Sequence, residues 1–168
     1  MVVDFARLSR HLFTGRLAVS RIFTDGSLDA IKQAIQQAEA GHEGEIRFAV
    51  EASLNTLPLL RDQSARERGL EVFSQLRVWD TEHNNGVLIY LLLADRDVEI
   101  IADRGVHRRV GDEKWETICR EMEAAFREGE FEAGIMAGIH AVGNLLREYF
   151  PVSSENRANE LSDSPVIL

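Results

Sequence analysis

Apolar and polar residues along the chain follow two different periods, and the change of period marks the elements. Glu45-Ile46-Arg47-Phe48-Ala49-Val50-Glu51 alternates, which predicts a strand with one covered face. Val87-Leu88-Ile89-Tyr90-Leu91-Leu92-Leu93-Ala94 carries no polar residue and predicts a central strand buried on both faces. Asp95-Arg96-Asp97 then reads as a tight polar turn, and Val98-Glu99-Ile100-Ile101-Ala102 as the returning strand of a hairpin.

The remaining apolar residues recur at helical spacing. Phe5, Leu8 and Leu12 predict an amphipathic helix over 4–13. Leu28, Ile31, Ile35 and Ala38 line a second helix, with Ser27 as N-cap, Asp29 in the first turn and Gly41 as the stop. A third runs from about Pro58 to Leu76, with Ala65, Val72, Phe73 and Leu76 inward. A fourth begins at Asp112 as cap and buries Trp115, Ile118, Met122 and Phe126 as far as Gly129. A fifth spans about 130–149, with Phe131, Ile135, Ile139, Val142 and Leu146 inward. Its small residues Ala133, Gly134, Ala137, Gly138 and Ala141 predict close packing on the sheet.

A strand–helix–strand unit favours parallel pairing through a right-handed crossover, and the hairpin adds an antiparallel strand. The expected fold is therefore α/β, a three-layer α/β/α sandwich around a small mixed sheet containing a β-hairpin. Residues 1–24 form a helical extension and residues 25–151 the domain. Residues 152–168, rich in Ser, Asn, Asp and Glu, are expected to be a disordered tail.

Composition changes this picture only at the level of partners. With 168 residues the chain fits one domain plus its tails. A net charge of −9 argues against nucleic acid or an anionic membrane as the main partner and is compatible with cations. No apolar run approaches the roughly 20 residues of a membrane span, and no signal-peptide pattern opens the sequence. Cys119 is the single cysteine, among Trp115, Ile118 and Met122, and reads as a buried, inert thiol in a reducing compartment. These features predict a cytoplasmic protein.

Three groups of residues have chemical potential. Asp80, Asn85 and Asp103 are the candidate metal ligands: the hairpin brings the exit of its second strand beside the entry of its first, and oxygen donors of this kind suit Ca²⁺ or Mg²⁺. Glu82 and Asn84 lie in the same loop, although turn hydrogen bonds explain Asp80 and Asn84 equally well, and Asp112 serves as a helix cap. Arg104 is the candidate anion-binding residue and, with Asp103, the candidate catalytic pair. Arg77, Arg108 and Arg109 lie in the same region, the last two read as ion-paired or solvated. His83 and His107 flank it as lone loop histidines, and Trp79 reads as a packing residue. No P-loop, Rossmann glycine pattern or His/Cys metal cluster is present.

The order of motifs resembles a known family. Asn85-Gly86-Val87-Leu88, the apolar strand, Asp95-Arg96, the second strand ending near Gly105, Ala125-Phe126-Arg127-Glu128-Gly129-Glu130-Phe131 with Gly134 and Gly138, and the closing Phe150-Pro151 together are similar to the TPM domain family. The resemblance covers roughly residues 25–151. It implies the α/β/α sandwich and a shallow site where loops leave the strands. It also implies a phosphatase-like, calcium-binding activity in some members. In others it implies an accessory module with a protein partner, in some cases membrane-associated. Two positions depart from the family pattern: its Gly-x-Gly reads Asp103-Arg104-Gly105 here, and the acidic residue before Asn-Gly is Asn84.

Overall fold

The structure, a computed structural model, describes residues 4–153 and 158–168. Its sheet has four strands in the order β3-β2-β1-β4. β1 (Glu45–Glu51) and β2 (Gly86–Leu92) run parallel, with Glu45 opposite Gly86 and Glu51 opposite Leu92. β3 (Asp97–Ala102) returns antiparallel, with Val87 opposite Ala102. Every residue of β2 is buried, as an apolar run without alternation requires of a central strand.

Helices cover both faces. α3 (Asp25–Glu39), α7 (Asp112–Arg127) and α8 (Phe131–Tyr149) enclose the larger core, in which Ile31, Ile35, Phe126, Ile135 and Leu146 meet Ile46, Phe48, Val87 and Ile89. The other face is covered by α5 (Ala65–Gln75), whose Ala65 and Val72 pack on Ala49, Leu88 and Ile101. The three-layer sandwich is the fold its pattern predicts. Within the smaller core the Tyr90 hydroxyl donates to Glu51 Oε2 at 2.7 Å, and Arg68 holds the same carboxylate through Nε and Nη2 at 2.8 and 3.1 Å. The exposed edge of β3 is blunted by Arg66, which donates to the Ile100 carbonyl at 2.9 Å.

Several local expectations are revised. The helix predicted over 58–76 is two: α4 (Thr56–Leu60) and α5, separated by Asp62 at φ +56° and restarted by a Ser64–Glu67 capping box. α3 is capped by Thr24 rather than Ser27, whose hydroxyl instead donates to Glu132 at 2.5 Å. α7 starts after Gly111, placing Asp112 in its first turn. Two further helices are short: α2 (Arg16–Ile22) follows α1 (Phe5–Phe13), and α6 (Arg104–Val110) follows β3.

The C-terminal segment departs most from expectation. Residues 154–157 of the predicted disordered tail lie outside the described residues. Beyond them, β4 (Val166–Ile167) adds in parallel to β1 opposite Ala49 and Val50, and Leu161, Val166 and Leu168 pack on the smaller core. Composition misled here because few apolar side chains suffice when an open strand edge supplies backbone partners.

Candidate functional site

The site region is built by the entry to β2 and the exit from β3. Asp103 N–H donates to the Gly86 carbonyl at 2.9 Å, extending the hairpin one step beyond its regular register. α6 then starts so close to the entry loop that a Cβ on Gly105 would lie 2.4 Å from the Asn84 carbonyl oxygen and 3.0 Å from that of His83. Gly105 is therefore dictated by close backbone approach. The predicted meeting of the 83–86 loop with Asp103-Arg104-Gly105 is present in the backbone.

The candidate ligands fare differently. Asn85 is 1% exposed; its Nδ2 donates to the Glu43 carbonyl at 2.5 Å, and its N–H donates to Thr81 Oγ1 at 3.1 Å. The Nδ2 bond fixes the amide orientation, and Oδ1 is left buried with no donor among the described residues. Asp103 is 7% exposed and caps α6, Oδ1 accepting from Arg104 N–H at 2.6 Å; its Oδ2 is likewise buried without a donor. Unsatisfied buried oxygens of this kind are rare and costly. Asp80 does not share this environment. It is half exposed and tied to Arg77 at 2.6 Å, with the Arg77 guanidinium 5.7 Å from the centre of the exposed Trp79 ring. Among the described residues no group of three His, Cys, Asp or Glu side chains is arranged to hold a metal ion.

The cations around the site also separate. The Arg104 side chain is exposed; only its backbone N–H contacts Asp103, and it forms no ion pair among the described residues. Arg109 is turned away, donating to the Tyr149 carbonyl at 3.0 Å with its guanidinium 4.5 Å from the Phe150 ring centre. His107 lies 3.6 Å from Asp112 on the far side of α6, and Asp112 is largely exposed. Cys119 is held as the thiol, its pKa pushed up to about 12 by burial, as an inert cysteine should be.

Three acidic residues at this end escaped sequence reasoning. Glu160 Oε2 accepts from the Glu82 N–H at 2.9 Å, Glu45 accepts from Leu161 N–H at 3.2 Å, and Glu43 lends its carbonyl to Asn85. Glu45 reads simply as a strand residue, Glu43 falls between predicted elements, and Glu160 lies in a segment whose composition predicts disorder.

A hairpin-bearing mixed sheet between two helical layers defines the class of domain. The TPM domain family matches residues 19–145, and the chain belongs to it. Among solved structures it is similar to the BA42 protein of the psychrophilic bacterium Bizionia argentinensis: 30% identity, TM-score 0.75, 86% of this chain and 94% of that one covered. The N-terminal domain of a P. gingivalis protein shares 18% identity at a TM-score of 0.60, covering 78% and 82% of the two chains. The N-terminal domain of a Corynebacterium glutamicum protein shares 12% identity at 0.56, covering 80% and 79%; these last two attest the fold alone. No curated protein matches. No described helix is long and apolar enough to cross a membrane.

Proposed function

We propose that this TPM domain holds a divalent cation, Ca²⁺ or Mg²⁺, where the β2 entry loop meets the start of α6, and acts there as a slow phosphomonoesterase. The observation that carries the reading is the pair of buried oxygens without donors, Asn85 Oδ1 and Asp103 Oδ2, on backbone segments joined by the Asp103–Gly86 hydrogen bond. Hard cations take such oxygens and keep waters in their remaining positions, so two inner protein ligands suffice for Mg²⁺. Asp80 fits less well: it belongs at the rim and reaches an ion only by releasing Arg77. A bound cation supplies a water of lowered pKa. Arg104 contributes what this chain's own residues can: an exposed guanidinium beside Asp103 that orients phosphoryl oxygens. The lone cysteine fits a cytoplasmic setting.

A second reading, a noncatalytic module that binds a protein partner through the same loops, is favoured by the Asp80–Arg77 pair and the absence of a three-acid cluster among the described residues. Thermal unfolding with Ca²⁺, Mg²⁺ and Mn²⁺, paired with a phosphomonoesterase assay, separates them. At a hundredfold excess over Kd a cation adds about 2.7 kcal/mol, or roughly 5–10 °C in Tm for a domain of this size. Asp103→Asn keeps the cap acceptor and should abolish the shift. Stabilisation without turnover selects the module; no stabilisation by any cation overturns the site.

A further inference from the structure

The N-terminal helix leaves three of its four large apolar residues, Phe5, Leu12 and Phe13, on the outside. At 100° per residue, Arg7, Leu8 and His11 share one face of α1, and it is this face that docks. Arg7 Nε donates to Asp95 at 2.9 Å and its Nη2 to the Gln63 carbonyl at 2.7 Å; His11 Nδ1 accepts from Leu54 N–H at 3.0 Å; Leu8 packs on the smaller core. Phe13 falls on the opposite face and Phe5 and Leu12 on the flank beside Leu8; the three are 87%, 79% and 68% exposed, followed by Leu17 at 74% in α2. Isolated exposed apolar residues are ordinary, but four large ones within thirteen positions form a patch that demands an occupant.

Charge selects the occupant. Residues 5–22 contain four arginines, Arg7, Arg10, Arg16 and Arg21, and no acidic residue, in a chain whose net charge is −9. Arg16 and Arg21 are exposed, and Arg10 is half exposed with its guanidinium 3.5 Å from Asp95. The whole-chain charge therefore conceals a cationic end. Aromatic and leucine side chains ringed by arginine, on a short helix without spanning length, are the features of a segment lying in the plane of a bilayer interface. An acidic protein surface would satisfy the arginines but leaves the two protruding phenylalanines in water unless it also offers an apolar groove. A lipid interface accepts both.

We propose that α1 and α2 form a peripheral membrane-binding face for anionic phospholipid, with Phe5, Leu12, Phe13 and Leu17 entering the headgroup–acyl boundary and Arg16 and Arg21 pairing with lipid phosphates. The domain thus sits on a bilayer surface without crossing it.

The full chain is tested by flotation with vesicles of phosphatidylcholine and phosphatidylglycerol in equal parts, against phosphatidylcholine alone, in EDTA. Flotation with the anionic vesicles only, weakened by salt, is expected. F5S/F13S should abolish it without lowering Tm, because neither side chain is in the core. R16Q/R21Q should weaken it by roughly thirtyfold, since each surface arginine contributes about 1 kcal/mol near an anionic leaflet. D103N should bind vesicles as the parent does, so failure of the cation site leaves this face standing. Absence of flotation overturns the proposal. Equal binding to both vesicle types overturns the role of anionic lipid. A concentration-dependent dimer that F5S/F13S dissolves, with vesicles ignored, assigns the patch to a second copy instead.

Discussion

Arg7 Nε donates to Asp95 Oδ2 at 2.9 Å, joining the N-terminal helix to the β2–β3 turn across most of the smaller core's flank. The same carboxylate lies 3.1 Å from His11 Nε2 and 3.5 Å from Arg10. Both Arg7 and Asp95 side chains are largely buried, at 14% and 12% exposure. An inward face built mainly of Arg7 and His11, with Leu8, is what leaves Phe5, Leu12 and Phe13 outside.

Removing the anchor should release the helix. Burial pushes the Asp95 carboxyl up, but its bonds to Arg7 and His11 outweigh this and hold it below the usual carboxylate range. Its contribution is therefore present above the unfolded pKa and lost as pH falls through the lower folded value. Asp95→Ala leaves the largely buried Arg7 with only the exposed Asp62 at 3.1 Å and the Gln63 carbonyl, and should cost about 3 kcal/mol, read by denaturant unfolding at neutral pH. Hydrogen exchange should show lost protection over residues 5–13 and little change in β2.

The second buried carboxylate responds asymmetrically. Glu51 accepts from Tyr90 and from two nitrogens of Arg68. Tyr90→Phe leaves the ion pair intact and should cost about 2 kcal/mol. Arg68→Met leaves a buried charge with only a phenol and should cost about 3–5 kcal/mol. The two losses should not add in a double-mutant cycle, because the three groups act as one network.

Asp97 gives the opposite pH dependence from Asp95. Burial, reinforced by Glu99, Glu123 and Asp95, raises its pKa to about 6. A carboxyl that protonates more readily in the folded than in the unfolded state costs stability as pH rises from about 4 through 6, and the penalty persists above. Asp97→Asn should therefore raise Tm at pH 7.5 by about 2–4 °C, equivalent to about 1 kcal/mol, with the gain vanishing near pH 4. A gain of equal size at both pH values would contradict this origin.

Gly105 should tolerate no side chain, although it lies in a helix where alanine is ordinarily preferred by about 1 kcal/mol. The 2.4 Å approach of its missing Cβ to the Asn84 carbonyl decides the sign. Gly105→Ala should destabilise by about 1–3 kcal/mol and remove any cation-induced Tm shift while every ligand side chain is retained. Gly15→Ala, where nothing lies within 4 Å, provides the control without a clash, with at most the small loss expected of alanine at the N-cap of α2.

What the sequence reveals depends on how many residues share a signal. The run Val87 to Ala94 states its burial outright, and the hairpin and the α/β/α layering follow from it. α6 is hidden because Arg104-Gly105-Val106-His107-Arg108-Arg109-Val110 is only seven residues long and contains a glycine. The break at Asp62 is legible only through the Ser64-x-x-Glu67 capping box, which periodicity passes over. α1 shows a subtler limit. Periodicity groups Phe5, Leu8 and Leu12, but only Leu8 packs inward; the rest of the docked face is Arg7 and His11, whose partners Asp95, Gln63 and Leu54 are remote in sequence. At the site, proximity of the Asn85 and Asp103 loops is a hairpin property and readable. The diversion of Asp80 to Arg77 arises from a turn with Arg77 at φ +52°, which no spacing rule specifies.

The pairing of β1 with β4 has a consequence for biosynthesis. Ala49 and Val50 find β2 on one side soon after they are made, but their other neighbours, Val166 and Ile167, come from the far end of the sequence. At about 5–20 residues per second, the outer edge of β1 stays unpaired on the nascent chain for on the order of ten seconds. An open apolar strand of this kind is a template for association with other chains. Chaperone demand and sensitivity to C-terminal truncation should both concentrate on that edge, even though the finished molecule hides it.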